Sequence, residues 1–286
     1  MPASRSRTTE WRRSLSQVFE RGGCLELSVS RPEDEGAVGE ARGGDLVWRV
    51  KMLDLAPDHV AVEAPQTLGR SVLMTPGLDL MAAVVIGQNR WMFRTRVLSS
   101  RPSRDPRRAG TLALQLPDHV ERCQRRHGRF DARALNLPQA EVWPLLDPRS
   151  VVAAERANEL AVESFRTTGR APATDQESLL PTVGPRFGGT LLNLGGGGVG
   201  IRVAPAESGV FNHHRVFWLR IPLGPEMPVP VCVTGKAVHT HLDSSQMTYA
   251  GMAFDFSFNP GHLATVAEQI GSYVDALQAR QRLRAA

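Results

Sequence analysis

From Asp45 onward the chain is written in short runs of β-branched and aromatic residues cut apart by proline and glycine. Residues 46–53, 60–63, 78–86 and 91–97 are of this kind. Runs this short, with turn residues between them, predict strands joined by tight connections. Several such strands in series close as a small antiparallel barrel. The longest uninterrupted apolar stretch, residues 80–86, is far below the ~20 residues that a membrane-spanning helix requires. The opening Met-Pro-Ala-Ser-Arg-Ser-Arg has no apolar core ahead of a small-residue cleavage site, so no secretory signal is expected and a cytoplasmic location is.

The 286 residues suit one large domain or two ordinary ones. Residues 111–116 read as a strand that Pro117 ends, and residues 118–130 are too polar for core, which places a boundary there. A second β region follows, with runs at 132–135, 141–143, 189–194, 200–203, 216–221 and 231–239. A helix interrupts it, capped by Asp147 with Pro148 at its first position and presenting Ala157, Leu160, Ala161 and Phe165 on one stripe. Residues 252–258 alternate as a final strand, with Met252, Phe254, Phe256 and Phe258 on one face. Asn259 then caps, and Pro260 opens, an amphipathic helix that carries Leu263, Val266, Ala267, Ile270, Val274 and Leu277. The expected fold is therefore mainly β: two small antiparallel barrels, a helical insertion at about 147–186 and a closing helix at 260–284. An arm with a short helix (1–22) precedes the first barrel (23–117). An arginine-rich linker (118–130) leads into the second (131–286).

Charge is concentrated rather than spread. Between residues 101 and 133 lie nine arginines and four acids, a local excess of five that equals the net charge of the whole chain, +5. The only lysines are Lys51 and Lys236, so the positive charge is almost all guanidinium, the group that forks onto phosphate and stacks on flat rings. A local cluster in an otherwise balanced chain points to a small anionic partner and away from a nucleic-acid polymer. Three scattered cysteines, Cys24, Cys123 and Cys232, support neither a disulfide framework nor a cysteine zinc site.

Gly195-Gly-Gly-Gly-Val-Gly200 satisfies the dinucleotide-binding pattern G-x-G-x-x-G. That pattern works only between a strand and a helix, and here a second strand follows. The plain reading is a hairpin whose glycines supply positive φ. His239 and His241 fall on one strand face, with His213 and His214 elsewhere. No further ligand stands at metal-binding spacing, so these are expected to be ordinary strand histidines with no metal. No nucleophile, base or carboxylate pair stands in a recognisable frame, and no enzyme is expected.

The order of features carries more than any one of them. Arg125-x-x-x-Arg129, then Asn193-x-Gly195-x-x-Gly198, then Gly251-x-x-Phe254 and a closing helix resemble the PilZ domain, a bacterial receptor for cyclic di-GMP. The preceding half resembles the N-terminal split-barrel-like domain of two-domain flagellar brake proteins. The resemblance implies a six-stranded PilZ barrel and cyclic di-GMP as ligand, with no cofactor. It assigns Arg125 and Arg129 to the phosphates and guanines, Arg126 and Arg122 to added charge, Asn193 to a guanine edge, and Gly195 and Gly198 to close backbone approach. It further implies a protein partner such as the flagellar motor, or, as the alternative, a degenerate scaffold acting through protein contacts alone. Two departures stand out: Gly195 occupies the family's serine position, and Arg129 precedes Asn193 by 64 residues, a spacing the helical insertion explains.

Overall fold

A computed structural model describes residues 11–30, 45–86, 89–103, 109–118, 120–122, 125–126, 129–130, 137–170, 180–195, 197–242 and 246–285. It divides into two units, one containing Val47–Leu135 and Leu277–Ala286 and the other containing Asn136–Ala276. In both, the short runs became antiparallel strands, and the mainly β expectation is met.

In the first unit, helix α1 (Trp11–Glu20) precedes β1 (Cys24–Val29), β2 (Trp48–Leu55) and β3 (His59–Glu63). A small hairpin of β4 (Gln66–Thr67) and β5 (Arg70–Ser71) separates these from β6 (Asp79–Ile86), β7 (Asn89–Arg101) and β8 (Thr111–Gln115). Pairing runs β1–β2–β3–β8–β7–β6 and returns to β1, so six strands close a barrel. Leu25, Leu27, Val50, Val60, Val62, Leu80, Leu112 and Leu114 fill it, each worth about 1.5 to 3 kcal/mol on burial.

Residues 118–130, read from sequence as a polar linker, contain more structure than expected. β9 (Glu121–Arg122) pairs with β7, and β10 (Arg125–Arg126) pairs with β11 (Arg129–Phe130) as a hairpin. Backbone pairing needs no apolar side chains, so polarity alone did not exclude strands here. Residues 132–135, expected as a strand, lie outside the described residues.

In the second unit, β12 (Gln139–Pro144), β13 (Phe187–Leu194), β14 (Gly198–Val203), β15 (Val216–Ile221), β16 (Val231–Leu242) and β17 (Thr248–Phe254) close a second six-stranded barrel. Its order is β12–β13–β14–β17–β16–β15. Val142, Leu191, Ile201, Val203, Phe217, Leu219, Val233 and Ala250 point inward and are almost wholly buried. The final strand stops at Phe254, short of the expected Phe258. The Asp255 carboxylate accepts from Ser257 N at 3.1 Å, a local turn that wins over continued alternation, and Phe258 is left 45% exposed.

The insertion is a short 3-10 turn (Pro148–Ser150) followed by α2 (Val151–Thr168), with Asp147 Oδ1 accepting from Arg149 N at 3.0 Å as expected of a cap. Val151 and Ala154 pack with Trp143, Leu145 and Trp218 against the outside of the barrel. The buried stripe of α2 is Val151, Ala154, Glu155, Asn158 and Val162. Of the expected stripe, Ala157, Ala161 and Phe165 are only half-buried at the flank of this one, and Leu160 is 69% exposed. Both stripes have helical spacing. The two polar residues in the buried one hid it, and one of them, Asn158, donates from Nδ2 to Pro230 O at 2.9 Å.

Glu155 is the other. It is 1% exposed, and neither oxygen has a hydrogen-bond partner at ordinary geometry. Burial pushes its carboxyl up to about 7 from an ordinary 4.5, aided by the nearby charges of Glu159 and Asp255 against the opposing influence of Asn259 and Thr234. A carboxyl kept protonated by the folded protein favours unfolding once the unfolded chain can ionise it. Stability from this group is thus complete below pH 4.5, falls between pH 4.5 and 7, and stays lowered above. Glu155→Gln is expected to remove that slope and to melt higher than wild type at pH 8, measured as Tm against pH.

After α3 (Val210–His213), the closing helix α4 spans His262–Ala285. It starts later than expected, because Asn259 donates its side-chain amide to Glu159 Oε1 at 3.2 Å and offers His262 N only its backbone carbonyl. His262 is fully buried: its Nε2 donates to Cys232 O at 2.7 Å and its Nδ1 lies 3.0 Å from Glu159 Oε1. Residues 277–285 belong to the first unit. There Gln278 accepts from Thr75 N at 3.1 Å and donates to Leu73 O at 2.8 Å, and Gln281 bonds Asp79 N, Asp79 O and Ser30 O. The two amides act as backbone would at a strand edge. No helix among the described residues is long and apolar enough to cross a membrane.

Candidate functional site: the outer wall of the second barrel

The glycine run joins strand to strand, as expected: β13 leads directly to β14, with Gly195 N donating to Gly198 O at 2.8 Å. The reason for the glycines differs from the expected one. None of the described glycines between 195 and 200 has positive φ. Space is what demands two of them. A methyl on Gly198 would run into the Met252 carbonyl oxygen and lie 2.9 Å from Ala253 Cα, and one on Gly200 would lie 2.6 Å from Tyr249 Oη and 2.9 Å from Asn193 Oδ1. At Gly195 the nearest obstacle is Gly198 O at 3.8 Å, an ordinary contact.

Two β-bulges decide what faces outward. In β13 the pairing slips between Leu191 and Asn193, and in β16 between Ala237 and His239. Leu191 and Leu194 are buried, so the slip at Leu192 turns Asn193 to the outside at the level of Gly200. Val238 is the extra residue in β16 and is 67% exposed; beyond it His239 faces outward opposite Gly251. A bulge re-aims the residues that follow it. The result is a row across four neighbouring strands, Asn193, Gly200, Gly251 and His239, in mutual register.

The adjacent row on the same face is Thr190, Arg202, Tyr249 and His241. The His239 and His241 rings are nearly parallel, 7° apart, with centroids at 6.2 Å, as same-face strand residues should be. Tyr249 lies 5.6 Å from His239 and 4.7 Å from His241. On the other side of the first row stand Gly198, Ala253 and Lys236, with Lys236 Nζ 2.8 Å from Asp255 Oδ2. Burial raises the Asp255 carboxyl, but the hydrogen bonds from Lys236 and Ser257 outweigh it and hold the group below the usual carboxylate range.

Of the residues expected to form a site, Asn193, Gly195 and Gly198 are brought together on the β13–β14 hairpin. Arg122, Arg125, Arg126 and Arg129 lie on strands β9, β10 and β11 of the first unit, with Arg126 directly opposite Arg129. The sequence reading missed Arg202 and Tyr249, took Gly200 and Gly251 only as members of glycine motifs, and set the two histidines aside. Only the pairing register gathers them. Among the described residues no group of three His, Cys, Asp or Glu is placed to hold a metal ion. Chemically, the wall offers an amide that both donates and accepts, a guanidinium, three ring faces and a floor without side chains.

No protein-family model matches this chain, and neither does any curated protein. Among solved structures, it is similar to the Bacillus subtilis inhibitor of motility, MotI/DgrA, with 13% identity and a TM-score of 0.30 over 89% of this chain and 97% of that one. It is also similar to the K. pneumonia MrkH–c-di-GMP complex, with 10% identity and a TM-score of 0.31 over 96% of each chain. A third similar structure is Escherichia coli YcgR in complex with c-di-GMP, with 13% identity and a TM-score of 0.29 over 96% of this chain and 91% of that one.

Proposed function

We propose that this chain is a cytoplasmic cyclic di-GMP receptor that performs no catalysis and signals through a protein partner, the flagellar motor being the foremost candidate. The observation that carries the reading is the first wall row. A bulge turns Asn193 out beside a glycine floor, on the hairpin whose sequence continues the motif begun at Arg125. Cyclic di-GMP presents two phosphates and two guanines. The arginines of β10 and β11 supply forked donors for phosphate oxygens and for guanine O6 and N7, and Asn193 supplies an edge partner. Isothermal titration with cyclic di-GMP tests the reading directly. A thermal-shift screen does so independently, since a ligand at a hundred times its Kd adds about 2.7 kcal/mol of stability.

Gly195 is the departure that bears on affinity. Its position is open and its φ is not positive, so a serine fits without strain. A hydrogen bond to a charged group is worth about 1.5 to 3 kcal/mol, and Gly195→Ser is expected to tighten binding roughly ten- to a hundredfold. Unchanged or weaker affinity in calorimetry would sink this account. The missing hydroxyl also favours a second reading, a scaffold that has lost the ligand and works by protein contacts. Silence of both wild type and Gly195→Ser toward cyclic di-GMP would select it.

A further inference from the structure

The motif-based reading uses the edge of the wall and leaves its rings without a task. His239 and His241 are exposed and Tyr249 is half-buried, so three flat faces are held outside the barrel, where they contribute little to its core. Their poses are not accidental to the backbone. His239 occupies the space above Gly251 that any side chain there would claim, and Tyr249 leans over Gly200 until its hydroxyl and Asn193 Oδ1 lie 2.6 and 2.9 Å from one point above that glycine. The two glycines thus lower the rings onto the sheet and bring them beside the Asn193 amide, which can read a base edge. Arg202 emerges directly opposite Tyr249 on the neighbouring strand. Ring faces next to an edge-reading amide and a guanidinium are the three contacts a purine nucleotide offers to satisfy: base face, base edge and phosphate.

We propose that the Tyr249–His239–His241 stack is the platform on which one purine base of the bound nucleotide lies. This rests on the nucleotide-receptor reading above and extends it from edge and phosphate recognition to recognition of the base face. Stacking on an aromatic ring tolerates any purine, so the platform supplies grip while Asn193 supplies the choice of guanine.

The test titrates wild type, Tyr249→Ala and Tyr249→Phe with cyclic di-GMP and cyclic di-AMP by calorimetry, and follows the base H8 resonance by NMR. Removing one stacking partner is expected to weaken cyclic di-GMP binding ten- to a hundredfold and to abolish the upfield ring-current shift of H8. Tyr249→Phe, which keeps the ring, should stay within about threefold of wild type. If Tyr249→Ala melts lower than wild type, His241→Ala, which removes one exposed ring of the cluster, replaces it. Wild-type binding that Tyr249→Ala leaves intact overturns the platform and spares the receptor reading. Binding of cyclic di-AMP alone, lost in Tyr249→Ala, overturns the receptor reading and spares the platform. Silence toward both nucleotides overturns both.

Discussion

Replacing Arg125 and Arg129 together by alanine is expected to reduce cyclic di-GMP affinity a hundred- to ten-thousandfold and to leave Tm unchanged. Each guanidinium is assigned one charge-assisted interaction with the ligand, and losing a hydrogen bond to a charged group costs about 1.5 to 3 kcal/mol. Two such losses compound to the stated range. Among the described residues β10 and β11 form a separate hairpin held by backbone pairing, which alanine leaves in place. Calorimetry of the double variant, alongside its melting curve, gives both numbers. Wild-type affinity in a folded double variant would remove these arginines from the site. Lysine at both positions should recover only part of the loss, since an ammonium keeps the charge without the planar fork.

Gly198→Ala is expected to do the opposite, unfolding the barrel more than it alters chemistry. The added methyl meets the Met252 carbonyl oxygen, and backbone cannot rotate away as a side chain can. β14 must move off β17, a strain of about 3 kcal/mol, which for a unit of this size lowers Tm by roughly 6 to 12 °C. Gly195→Ser, three residues earlier, should melt within a degree or two of wild type. The pair separates two jobs that a motif string treats as one. A Gly198→Ala variant with wild-type Tm would show that β17 yields and that the close approach is not required.

Much of this was legible in the sequence, where a local rule acted alone. The runs at 60–63 and 216–221 became β3 and β15 because β-branched residues bounded by turn residues have few other options. The glycine run was correctly kept from a dinucleotide site by the strand that follows it. Misreadings came where two local patterns competed. In α2 two stripes shared helical spacing, and the one carrying Glu155 and Asn158 was buried. At Asp255 an alternating pattern ran on while the carboxylate captured Ser257 N and turned the chain. Most of the wall was illegible for a different reason. Arg202 is far along the chain from Tyr249 and Gly251, and their meeting is a property of register, which follows from which strands pair and how the turns close.

The bulges at Leu192 and Val238 have a consequence for how this surface can change. A strand sorts its residues by odd and even, and each bulge inverts that parity for everything up to the next turn. Deleting Leu192 would remove the bulge and leave Asn193 opposite Gly200 and Leu194 opposite Val199, still facing out and in. Deleting Val238 would likewise keep His239 opposite Gly251 and His241 opposite Tyr249. Each bulge is therefore a spare place in the count, and β13 and β16 can each lose one residue there while the outward row keeps its members.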